Sequence, residues 1–217
     1  MIITEPLAVS SLSQSAAQAL RDAIVSGKLH PGARLVELKL ASSLGIGQPT
    51  LREALKELEH QGYVRKTPNH GTYVTNLTRE DFQQIHEVRI PLESIAFEKA
   101  AERMTPETAR EFKEIVTSLD EAAKRFNYVD FHNNDLKFHR KVWTLSGNRY
   151  LEAALAGMLF AMFAFVMLKQ KPSDFRAAVE QHRKMLMGLL TGDPGKAKAA
   201  FCESTLEYWR SHHHLDM

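Results

Sequence analysis

The chain has 217 residues, a length that suits one large domain or two small ones. Its 44% hydrophobic and 25% charged residues are ordinary for a soluble globular protein. A net charge of +2 excludes a chain that is basic throughout, so any nucleic-acid surface must be local. Cys202 is the only cysteine; an intramolecular disulfide is therefore impossible, and a reducing cytoplasm is the expected compartment.

The opening "MIITEPLAVSSLSQ" lacks the basic start and long apolar core of a secretory signal. From Leu12 to Val25 the apolar residues Leu12, Ala16, Ala19, Leu20, Ala23 and Ile24 recur at helical spacing. "SGKLHPGARL" breaks that pattern with Gly27, Pro31 and Gly32. "VELKLASSL" is a short second helix, and Gly45 is placed to cap it. Gln48 to Gln61 is a third, with Leu51, Ala54, Leu55 and Leu58 on one face, ended by Gly62. "YVRKT" and "TYVT" then read as two strands around the turn "PNHG". Helix, helix–turn–helix and hairpin, in that order, make a winged helix-turn-helix.

After Thr75 the strand signals stop. Thr78 with Asp81 resembles a capping box at the head of a helix running to about Arg103. Thr105 and Pro106 start another. A third covers about Tyr128 to Leu145 and stops at Ser146-Gly147-Asn148. The apolar run Leu151–Leu168 carries Glu152, and its uninterrupted part is short for a bilayer, so it reads as a buried core helix with no membrane partner. Met158, Phe160, Met162, Phe163, Phe165 and Met167 then line core and pocket wall. A helix after Pro172 and one opened by Asp193-Pro194 complete the set, while His212–His214 read as solvated. The fold class is mainly α. Residues 1–77 form the winged helix-turn-helix, and residues 78–217 an all-α bundle of about six helices.

A helix-turn-helix presents the start of its second helix to the major groove. Gln48, Thr50 and Arg52 occupy that start, and its free backbone N–H groups suit a phosphate. Arg52 can read guanine and Gln48 adenine through paired hydrogen bonds. Lys39 in the preceding helix joins them as a DNA-contact candidate. His70 and Gly71 in the wing, with Arg65, Lys66 and Asn69, suit phosphate or minor-groove contact. Net charge alone is a weak guide: residues 1–78 hold eight Lys/Arg against six Asp/Glu. "GIGQPT" imitates a dinucleotide fingerprint, but it lacks the third glycine and follows a helix.

"HPGARLVELKLASSLGIGQPTLREALKELEHQGYVRKTPNHGTYV" resembles the DNA-binding domain of the GntR family of bacterial transcription regulators, over about Ser13 to Val74. The resemblance makes Arg52 the recognition-helix arginine and His70-Gly71 the wing tip. Gly47 stands where Ser or Thr is usual, Gln48 where a base-reading Arg is usual, and Pro49 and Thr50 are in swapped order. These departures bear on the operator sequence.

In the second half, Asp135 and His139 lie one helical turn apart on the same face, and His182 follows in "EQHRKML". Carboxylate with imidazole suits a divalent metal. The same spacing equally describes a hydrogen-bonded structural histidine. Here the sequence resembles the FadR-type C-terminal effector domain over about Arg79 to Leu206. That resemblance implies a zinc, nickel or manganese ion on Asp135, His139 and His182. Ser204 stands in place of the usual fourth histidine, and His132 is two turns from His139, far for one ion. It also implies a small carboxylate effector clamped by Arg89 of "EVRIPLESIAFEKAA", homodimers, and double-stranded operator DNA as partner, most relatives being repressors. The alternatives are a metal-free sensor of acyl-CoA or another apolar acid, and a metal-dependent hydrolase. The hydrolase lacks a general base beside the ligands and leaves the DNA-binding half unexplained.

Overall fold

The structure is a computed structural model that describes residues 12–156, 158 and 172–211. The opening residues 1–11, the apolar residues Phe160, Met162, Phe163, Phe165 and Met167, and His212–His214 lie outside the described residues. Met158 is described and packs partly buried against the core.

In the N-terminal head, α1 (Leu12–Val25) buries Ala16, Ala17, Leu20, Ile24 and Val25. α2 (Glu37–Leu44) ends at Gly45, whose φ of 65° is the left-handed cap conformation that favours glycine. That cap turns the chain directly into α3 (Gln48–His60), with Pro49 in its first turn, where no intrahelical N–H is needed. Leu51, Ala54, Leu55 and Leu58 are buried on one side of α3, which leaves Gln48 and Arg52 exposed on the other. β2 (Val64–Thr67) and β3 (Gly71–Val74) form the expected antiparallel hairpin. A strand the sequence does not announce, β1 (Arg34–Leu35), pairs with β3 to give the sheet order β1-β3-β2.

The Thr78–Asp81 capping box opens α4 (Arg79–Glu102): the Thr78 hydroxyl accepts from Asp81 N–H and the Asp81 carboxylate accepts from Thr78 N–H. Aspartate serves because it closes the same reciprocal pair as the usual glutamate. α5 (Pro106–Lys124) is capped by Thr105, and α6 (Tyr128–Leu145) by the Asn127 side chain. Helix α7 is described over residues 149–156. α8 (Pro172–Leu190) and α9 (Pro194–Ser211) follow, with the Asp193 carboxylate accepting from Lys196 N–H in the first turn of α9. No described helix is long and apolar enough to cross a membrane.

The main apolar cluster is continuous from Leu20 and Leu58 in the head to Phe97, Phe138, Trp143 and Phe201 among the helices. A second cluster, including Leu119, Phe131 and Phe175, joins α5, α6 and α8. α8 and α9 approach closely at Gly188, where a Cβ would lie 2.6 Å from the Ala200 Cβ.

Candidate functional site

The mouth of α3 carries the first set of site residues. Arg52 donates from Nε to Glu37 Oε2 at 2.7 Å, and its guanidinium reaches Gln48 Oε1 at 3.5 Å. Both side chains of the Arg52–Glu37 pair are solvated, so the pair restrains the guanidinium weakly, by about 0–1 kcal/mol. Thr50 is half-buried, while Lys39 and His70 are exposed. Gly71 has a φ of 112°, and a Cβ there would lie 3.3 Å from Arg34 Nε. The close approach that this glycine permits is thus made by the exposed Arg34 of β1. Arg34 adds a cation beside the wing that the sequence reading passed over, because the two-residue strand placing it there has no pattern of its own.

The second set lies inside the helical half. Asp135, His139 and His182 are all buried, and one ligand atom from each lies within 4.8 Å of the others. α6 supplies the first two from one face, and α8 supplies the third. His182 Nδ1 is 2.7 Å from Ala178 O and donates to it, which turns Nε2 toward Asp135. That Nε2 lies 2.9 Å from Asp135 Oδ1 yet lacks a hydrogen bond's alignment, and it has no hydrogen-bond partner among the described residues. Burial pushes the Asp135 carboxyl up, but the close approach of the His182 ring, with His139 and His132 nearby, holds it below the ordinary carboxylate range.

Glu93 orders the other side of this cluster. It is 0% exposed and accepts from Arg89 Nε at 2.5 Å, His139 Nδ1 at 2.8 Å and Trp143 Nε1 at 2.9 Å. His139 donates from Nδ1 to Glu93, the orientation that a carboxylate partner imposes on a metal-binding imidazole. Burial would raise the Glu93 carboxyl; the Arg89 guanidinium and His139 more than offset it and hold the pKa at about 2. Arg89 is therefore neither solvated nor isolated: it is 7% exposed, ion-paired one turn along its own helix, and 5.9 Å from the Phe201 ring. Ser204 faces inward on α9, 1% exposed, and its Oγ has no partner among the described residues. His132, on the same face of α6, bonds away from the cluster to Tyr63 at 2.8 Å.

Glu93 was the main site residue not singled out from the sequence. Its signal was present as the glutamate four residues after Arg89, the spacing of a helical ion pair. Trp143 gave no such signal, because its indole N–H finds Glu93 only across the packing of α6 on α4.

Comparison with known proteins supplies the family. A model described as "FCD domain" matches residues 84–207, more than half of the chain, and one described as "Bacterial regulatory proteins, gntR family" matches residues 12–74. The chain is 28% identical to the uncharacterized HTH-type transcriptional regulator YdhC of Bacillus subtilis, over 76% of this chain and 75% of that protein. It is 26% identical to the gluconate operon transcriptional repressor of Bacillus licheniformis, over 80% of this chain and 74% of that protein. The fold is that of E. coli McbR/YncC, with a TM-score of 0.76 at 22% identity over 95% of this chain and 98% of that one. These relatives are regulators, and the hydrolase alternative has no counterpart among them. A helix-turn-helix with an exposed polar helix mouth, joined to an FCD domain, makes this chain a DNA-binding transcription regulator of the GntR family.

Proposed function

We propose that the chain is a homodimeric repressor of the FadR subfamily whose operator affinity is set by a small organic carboxylate bound in the helical half. The observation carrying this reading is the Asp135–His139–His182 cluster, with both imidazoles held by Nδ1 and the His182 Nε2 facing a carboxylate without a proper bond. An imidazole nitrogen and a carboxylate oxygen at 2.9 Å, not bonded to each other, fit a shared cation. Asp135, His139 and His182 would hold that divalent metal, which would supply a Lewis-acid anchor for a carboxylate effector. Arg89, coupled to His139 through Glu93, supplies the nearby cationic fork. At the other end, Gln48, Thr50 and Arg52 read bases, and Lys39, His70 and Gly71 hold the backbone of double-stranded operator DNA. A two-fold dimer matches two half-sites of a palindrome. Repression is the sign suggested by the gluconate operon repressors and by the probable D-xylose operon repressor of Paenarthrobacter nicotinovorans among the relatives.

The test is a calorimetric titration of Zn²⁺ or Ni²⁺ into metal-stripped wild type, Asp135→Asn and His182→Ala. Roughly tenfold or greater weakening in both variants is expected. Wild-type binding no tighter than that of the variants would remove the metal. A thermal-shift screen of organic acids then identifies the effector, since a ligand of the native state raises its stability. Arg89→Lys, which keeps the charge on Glu93 but loses the planar fork, should raise the effector concentration required without changing operator affinity.

A further inference from the structure

The head and the helical half meet at a buried contact that neither site uses. Tyr63 follows α3 directly, is 1% exposed, and lies with its hydroxyl 2.8 Å from His132 Nε2. Burial raises the Tyr63 phenol and lowers the His132 imidazole to about 4, so at neutral pH the bond joins a protonated phenol to a neutral ring. The two rings meet edge to face at 6.0 Å, and the Arg21 guanidinium of α1 lies 5.5 Å from the Tyr63 ring centre.

Each partner is fixed in a different functional part. The Tyr63 N–H donates to Leu58 O in α3, and its carbonyl accepts from Thr75 N at the end of the wing. Recognition helix, wing and the chain leaving the head are thereby tied at one residue. His132 stands three residues before Asp135 and seven before His139, on the same buried face of α6. That face makes three connections: His132 to the head, Asp135 to α8 through His182, and His139 to α4 through Glu93.

We propose that Tyr63 and His132 are the positioning pair through which occupancy of the Asp135–His139–His182 site sets how the recognition helix and wing lie on DNA. For its input the proposal rests on the ligand site proposed above; its output rests on the seam alone. A helix moves as a unit, so a ligand that draws Asp135 and His139 together with α8 carries His132 with them. A buried hydroxyl–imidazole bond is costly to leave unmade, so Tyr63 follows. Linkage makes the effect reciprocal: DNA on the head must bias α6 as the site biases the head.

The experiment uses the full chain as wild type, Tyr63→Phe, and the double variant Tyr63→Phe/His132→Leu. The second replaces both polar partners with apolar groups and so restores stability without the bond. The DNA is a duplex selected on wild type from a randomised library, and the readout is hydrogen exchange across α6 with and without it. Wild type should show a duplex-dependent change at residues 128–139, and both variants should lose it while still binding the duplex. In parallel, any Zn²⁺-dependent change in duplex affinity, of the roughly 5–150-fold size typical of coupled sites, should fall to near unity in both variants. A duplex effect on α6 that persists in the variants, or is absent from wild type, overturns the pair whatever zinc does. Failure of wild type to bind Zn²⁺ counts against the metal site alone, because the duplex arm needs no metal.

Discussion

Arg52 lies at the head of α3 against Glu37, in a pair too solvated to resist its recruitment by a base edge. Arg52→Ala should therefore weaken specific operator binding by about 1–3 kcal/mol, seen as a loss of discrimination between selected and scrambled duplexes. An unchanged discrimination ratio would move base reading elsewhere. Ser204 sets a second test. The sequence identified it only as the place of a missing histidine; the structure adds that it is buried with an unsatisfied hydroxyl. Ser204→His should tighten binding of Zn²⁺ or Ni²⁺ in a calorimetric titration. Without metal it should destabilise by about 1–3 kcal/mol, because a ring must enter a packed site. By spacing alone the site was legible only where its residues share a helix; His182 and Ser204 entered through the family resemblance. Asp135 and His139 are one turn apart and announce themselves, as Arg89 and Glu93 can. The bond from His139 to Glu93 and the approach of His182 to Asp135 join residues 46 and 47 positions apart, and spacing along a chain says nothing of such pairs.

Among the elements, those with chemical punctuation were the ones readable in advance. Thr78, Thr105 and Asp193-Pro194 start helices because their side chains or ring suit the unpaired N–H groups of a first turn. Gly45 marks the turn that aims α3. β1 was missed because two residues carry no period; its existence depends on the edge that β3 offers. The contact of α8 with α9 was equally hidden, since Gly188 inside a helix reads as a mere weakness. Its reason is distance: an added methyl would meet the Ala200 Cβ at 2.6 Å and the Lys196 carbonyl oxygen at 3.1 Å. Gly188→Ala should therefore lower the thermal midpoint. The overpacking cost of about 1–3 kcal/mol exceeds the helix-propensity gain of about 1 kcal/mol, because backbone as well as side chain must yield. A rise in the midpoint would show that α9 can shift freely.

At the scale of the molecule, buried ionisable groups make stability depend on pH in two steps. Burial lowers the pKa of His86, with help from Arg89, and of His132 from 6.5 to about 4. The unfolded chain then binds protons that the folded chain refuses, so this stability is whole above about pH 6.5 and is lost as pH falls toward 4. Urea midpoints should decline between about pH 7 and about pH 5, each histidine contributing a slope of up to ~1.4 kcal/mol per unit. A flat profile across that interval would mean the rings are solvated. Glu93 acts in a lower window. Its folded pKa of about 2 lies below the ordinary 4.5, so its contribution is present above 4.5 and disappears as pH falls toward 2. The same carboxylate gives the protein an optical property. Trp143, one of two tryptophans in the chain, is fully buried and donates its indole N–H to the Glu93 oxygen that also accepts from His139. Any event that reorients Glu93 changes the electric field on this chromophore. In a Trp209→Phe background the emission of Trp143 alone should shift when Zn²⁺ is added, and Asp135→Asn should abolish the shift, so occupancy of the site can be followed as fluorescence colour without a label.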